Sequence, residues 1–164
     1  MIKELLTQHV LVDINMKSNH NGFTLIEMLV VISLIGILAT LALVSFGVSQ
    51  KQARDSARRS DLKQYQTSVE NYANINNGIY PIYATVTTIP SSGGFCTDLN
   101  IGTCPLDVKN ISPYLYKYVS DATGTNYVFW AGLEAKTPTE YFIICSNGKS
   151  GQSTTAPSSA TCPI

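Results

Sequence analysis

The sequence predicts an α+β protein: a long N-terminal helix, apolar in its first half and amphipathic in its second, packed on a small antiparallel sheet. Three observations predict it. Met28 to Gln50 are 23 positions without a formal charge, rich in Leu, Ile and Val. As a helix they extend about 34 Å, enough to cross the hydrocarbon core of a bilayer. The run continues without proline into "SQKQARDSARRSDLKQYQTSVENYANINNG", where Leu62, Tyr65, Val69 and Tyr72 recur at helical spacing as one stripe. Three aromatic and β-branched runs then follow, separated by turn-rich segments.

Taken in order, residues 1–22 form a polar leader, with Lys3 and Lys17 as its positive charges. Met16 offers a second start, from which the leader would read "MKSNHNG". Residues 23–50 are the membrane-spanning or filament-core helix. A buried helix of a soluble protein rarely runs so long without one charged residue, which favours the membrane reading. Residues 51–77 continue it as an amphipathic helix with Lys63, Gln64 and Glu70 off the apolar stripe, ending near Asn76 with Gly78 as its cap. The whole helix is expected to have about fifty residues and a length of about 75 Å. Residues 78–164 form a small β part. Its strands are expected at "YLYKYV" (Tyr114 to Val119), "NYVFWA" (Asn126 to Ala131) and "YFIICS" (Tyr141 to Ser146), as a meander covered by the helix stripe.

The four cysteines, Cys96, Cys104, Cys145 and Cys162, all lie beyond the apolar run. An even count in a small Gly/Ser/Thr-rich ectodomain reads as disulfides formed outside the cytoplasm. Sequence proximity, and the need of the polar tail for an anchor, favour Cys96 with Cys104 and Cys145 with Cys162 among the three pairings open to four cysteines. A zinc site is disfavoured, because no two cysteines are two residues apart and His9 and His20 lie upstream of the apolar run. "DATGTN" lacks the spaced oxygen series of a calcium loop. No metal or other cofactor is expected.

Formal net charge is zero, with 11 basic and 11 acidic residues, so no long-range field recruits nucleic acid. A local cluster, Lys51, Arg54, Arg58, Arg59 and Lys63, follows the apolar run. It reads as a solvated helix face with Asp55 and Asp61 as neighbouring acids; the sharper reading is contact with lipid head groups and then with neighbouring subunits. The positive-inside rule would keep it in the cytoplasm. The cysteines and the order of parts oppose that, since the polar-to-apolar step comes before the spanning helix and no A-x-A cut site follows it.

The stretch "GFTLIEMLVVISLIGILATLA" resembles the type III signal of type IV pilins and their relatives: a glycine, an aromatic and an acid stand at fixed places before a spanning segment. The resemblance extends in style through "QARDSARRSDLKQYQTSVENY" and "NNGIYP". It implies that a membrane prepilin peptidase cuts after Gly22 and N-methylates Phe23, and that Glu27 acts in assembly. The implied partners are other copies of the chain in a filament, the peptidase, an inner-membrane assembly platform and the membrane itself. Nucleic acid is not expected as a direct partner and enters only through a DNA-uptake role. The precursor is expected in the cytoplasmic membrane with its C-terminal part outside, and later in a cell-surface or periplasmic filament. Where many members of the best-known subtype carry a proline halfway along the helix, this chain reads "LATLALVSFG", leaving Gly36 as the place for local melting.

The leading function is a structural filament subunit, with a pseudopilin of a type II secretion system as alternative. A membrane-anchored enzyme is disfavoured: the region beyond the helix has no His, and Asp98, Asp107, Asp121, Glu134 and Glu140 read as scattered surface acids. No catalytic residue is expected. A membrane-anchored binding protein would present Tyr80, Tyr83 and Trp130, although Trp130 fits the sheet core better. Glu70 is read as an exposed helix position where alanine has little effect.

Overall fold

The computed structural model describes residues 22–137 and 139–164, and for residues 42–45 the backbone alone. The rest of the leader, with Met16, Lys3, Lys17, His9 and His20, lies outside the described residues. The helix α1 runs from Leu25 to Ile75, 51 residues, and an α+β architecture follows it. Contacts divide the chain into two units, with the break between Leu41 and Ala42.

The first unit carries the apolar start of α1. The second contains the rest of α1, the short helix α2 (Phe95–Asp98) and five strands: β1 (Thr87–Thr88), β2 (Lys117–Ser120), β3 (Tyr127–Gly132), β4 (Tyr141–Cys145) and β5 (Ser150–Ser153). They form one antiparallel sheet in the order β1-β2-β3-β4-β5, with Phe129 opposite Tyr118 on one side and Ile144 on the other. The three expected strands are present with ends shifted by a few residues, most at β2. There Tyr114 donates its N–H to the Ile111 carbonyl in a turn, which delays the ladder to Lys117.

Period-two alternation divides the sheet residues between two clusters. Tyr118, Tyr127, Phe129, Ala131 and Ile144 pack with Leu62, Tyr65 and Val69 of α1 and with Phe95 of α2. Tyr65, Phe95, Tyr118, Tyr127 and Phe129 form a continuous set of ring contacts, with centroids as close as 4.6 Å between Phe95 and Tyr118. Val119, Val128, Trp130, Ile143 and Cys145 make up the other cluster, against which Cys162 and Ile164 of the tail are packed. Trp130 is buried there.

Cys96 is bonded to Cys104 and Cys145 to Cys162. The second bridge holds the polar tail, whose Cys162 and Ile164 pack on the second apolar cluster beside Tyr141. By loop-closure entropy each bridge contributes on the order of 3 kcal/mol. Two strands escaped sequence reading. β5 is too polar to signal itself, and the sign of it was the dipeptide Asn147-Gly148, whose glycine at φ +81° turns the chain back on β4. β1 has only two residues.

Glu70 corrects an expectation. Its carboxylate accepts the hydroxyl of buried Tyr127 at 2.8 Å and that of half-buried Tyr80 at 3.1 Å. The stripe repeats every three or four residues, so a position one step off it still meets the sheet's rim. Glu70→Ala is therefore expected to destabilise the chain by about 1–3 kcal/mol, because two tyrosine hydroxyls lose the acceptor they share. A thermal unfolding midpoint equal to that of the unaltered chain would refute this.

Candidate assembly site

The N-terminal site is built by the start of α1. Gly22, Phe23 and Thr24 are non-helical, and the helix begins at Leu25. The Thr24 N–H and hydroxyl both donate to Glu27 Oε2, each at 2.8 Å, while the Glu27 N–H donates to Thr24 Oγ1 at 3.2 Å. This is a reciprocal capping box: a threonine at the N-cap and a glutamate three residues on satisfy donors that the first turn would otherwise leave open. The carboxylate also lies where the helix dipole favours negative charge. The signal was present in the sequence as "TLIE", and Thr24 is the site residue that sequence reasoning missed.

Gly22 is exposed, and a Cβ built on it would meet nothing within 4 Å. Among the described residues nothing crowds this position, and its backbone is not left-handed. Beyond it, the large apolar side chains from Phe23 to Leu41 are between 48% and 83% exposed. Among the described residues no large apolar side chain of this segment is buried, whereas a helix that is apolar all round ordinarily lies inside protein or lipid. By length and composition α1 is able to cross a membrane.

A second constellation lies within the 42–164 unit. Arg58 is fully buried; its Nε donates to Asp107 Oδ2 at 2.7 Å, its Nη1 to Asp55 Oδ1 at 2.7 Å, and its guanidinium stacks 4.2 Å from the Tyr114 ring centroid. Arg54 holds Glu134 through two bonds of 2.8 Å, and Lys109 Nζ donates to Glu134 Oε1 at 2.6 Å. Asp55 in turn accepts the N–H groups of Glu134 and Ala135. Burial pulls the Arg58 guanidinium down, but the bonds and charges of Asp107 and Asp55 more than offset it and keep it above its ordinary pKa. Hydrogen bonding from Arg54 holds Glu134 at about 2, against the upward push of burial and with help from Lys109.

This overturns the solvated-face reading of the basic cluster for Arg54, Arg58 and Asp55, and the surface reading of Asp107 and Glu134. These residues clamp α1 to the sheet and to the loop before it. Asp98 accepts the Tyr83 hydroxyl at 2.6 Å, and Asp121 holds its own turn through Thr123, Thr125 and Asn126. Burial raises the Asp121 pKa, yet those bonds lower it further and leave it well below the carboxylate range. Glu140 meets the Gln152 amide. Among the described residues, no group of three or more His, Cys, Asp or Glu side chains is placed to hold a metal ion. Tyr80 and Tyr83 are half-buried with their hydroxyls occupied, and with Trp130 buried the three do not make an exposed aromatic platform.

Fold and site define a class: an α+β protein whose long N-terminal helix opens on a capped, apolar segment that is exposed among the described residues. The comparisons narrow it. Residues 17–43 match the model of the prokaryotic N-terminal methylation motif. The chain is similar to the type IV major pilin protein PilA of Myxococcus xanthus (strain DK1622), at 26% identity over 153 residues, which cover 88% of this chain and 69% of that protein. Motif and relative together support the type IV pilin family. No solved structure matches the chain.

Proposed function

We propose that the chain is a filament subunit, made as a single-pass precursor in the cytoplasmic membrane with its sheet outside, cut after Gly22, N-methylated at Phe23 and polymerised through its apolar helix. The observation that carries this is the helix surface from Phe23 to Leu41, exposed on every side. Such a surface needs lipid before assembly and copies of itself afterwards. Gly22 supports the cut: with open space around it and no conformational need for glycine, its small size serves a partner that grips the backbone closely. The partners of this reading are a prepilin peptidase, an assembly platform and further copies of the chain. No residue is assigned a catalytic role.

Intact-mass measurement of the surface form tests the processing. A mature chain starting at N-methyl-Phe23 is expected, and Gly22→Leu is expected to accumulate as uncut precursor in the membrane. A surface chain that retains Lys17, or one cut beyond the apolar run, refutes the reading. Electron microscopy of sheared surface material tests the filament itself.

A further inference from the structure

Two large apolar side chains in the 107–112 loop are exposed: Val108 at 83% and Ile111 at 56%. The loop is nevertheless firmly held. Asp107 grips Arg58 while its Oδ1 accepts the N–H groups of Lys109 and Asn110, and Lys109 Nζ reaches Glu134, which also holds Arg54. The loop is thus tied to α1 at Arg54 and Arg58.

The apolar run ends at Gln50. Arg54 lies four residues further along α1, a rise of about 6 Å, and Arg58 about 12 Å. The headgroup layer on each side of a bilayer is roughly 5–7 Å thick. The Arg54 end of the clamp therefore falls at headgroup depth when the apolar run fills the hydrocarbon core. Lys51 is exposed just before it, and Lys109 is part of the loop. Two exposed apolar side chains on a loop tied through Glu134 to Arg54, with the exposed Lys51 three residues before Arg54 on α1, fit a lipid interface, where chains sink their apolar parts into the acyl boundary and leave their cations among phosphates.

We propose that the 107–112 loop is a second membrane contact, in which Val108 and Ile111 enter the lipid interface and, with Lys51 at the phosphates, fix the height of the sheet domain above the bilayer before assembly. The proposal rests on the anchored-precursor reading given above. Its occupant is a lipid surface; a neighbouring subunit on this loop is the competing outcome.

The test uses the full chain in vesicles of phosphatidylethanolamine and phosphatidylglycerol with brominated acyl chains, which quench nearby indoles. Val108→Trp and Ile111→Trp are compared with Ile75→Trp, an equally bare helix position about 38 Å beyond Gln50. The buried native Trp130 supplies the common background. Flotation of the vesicles reports insertion separately. The added fluorescence at position 108 or 111 is expected to be largely lost, and that at 75 kept. Equal quenching at all three positions in chains that float overturns the loop contact and leaves the anchored-precursor reading intact. Chains that do not float overturn both.

Discussion

Arg58→Ala is expected to destabilise the globular part by about 3–5 kcal/mol, because it leaves the carboxylates it served buried without their cation. Asp55 and Asp107 bind the guanidinium directly, and Glu134 lies 3.7 Å from it. The cost arises from the orphaned acids and not from the net worth of the ion pairs, so a compensating change should recover much of it. In Arg58→Met with Asp107→Leu, one acid and its partner leave together and apolar volume replaces them, although the turn at Lys109 and Asn110 then loses its acceptor. Chemical denaturation of the full chain in detergent gives the three stabilities. A double variant that is no more stable than Arg58→Ala alone would mean that the lost turn acceptor, together with Asp55 left without its cation, outweighs the relief of Asp107.

The same clamp fixes the acid response. The ordinary pKa of Glu134 is 4.5 and its folded value about 2, so the group binds fewer protons folded than unfolded between those limits. Its stabilisation is complete above about 4.5 and fades as pH falls towards 2. Glu134→Gln should flatten the stability curve within that window.

How far the sequence could be read depended on where apolar period and polar chemistry agreed. The stripe Leu62, Tyr65, Val69 is legible because burial and hydrophobicity coincide there, and so is β3, whose residues are all buried. Continued towards the N-terminus at the same spacing, the buried stripe passes through Arg58 and Asp55. A hydrophobicity reading stops at those positions, yet the three-or-four-residue period runs straight through them. Their acid partners Asp107 and Glu134 are 49 and 80 residues away from Arg58 and Arg54, a separation that no local pattern carries. At the N-terminus the order of parts, a polar leader ahead of the apolar run, directed the reading to Gly22 and Phe23. The capping box was equally local, but the glutamate's place beside an apolar run drew the reading towards membrane chemistry and away from the helix cap.

Glu27→Ala is expected to be inserted and cut normally and to build few or no filaments. An acid at the centre of a membrane helix costs about 2.5–3.5 kcal/mol, so alanine at this position should insert at least as well as the native residue. What alanine removes is twofold. It removes the acceptor for the Thr24 N–H and hydroxyl, and it removes the negative charge. The cap uses one carboxylate oxygen, Oε2, and holds the side chain in a fixed position on the first turn. A charge held there is placed to meet a cation at the start of another helix, and cutting after Gly22 would create one at Phe23. Glu27→Gln separates the two roles, because a glutamine amide oxygen still serves a capping box but carries no charge. If pairing between subunits sets the stagger of the filament, Glu27→Gln fails as Glu27→Ala does, while Thr24→Val, which keeps the charge and weakens the cap, retains part of the yield. Sheared filament mass normalised to membrane-inserted chain decides between them. Wild-type yield from Glu27→Gln together with loss in Thr24→Val would make Glu27 a helix cap and nothing more.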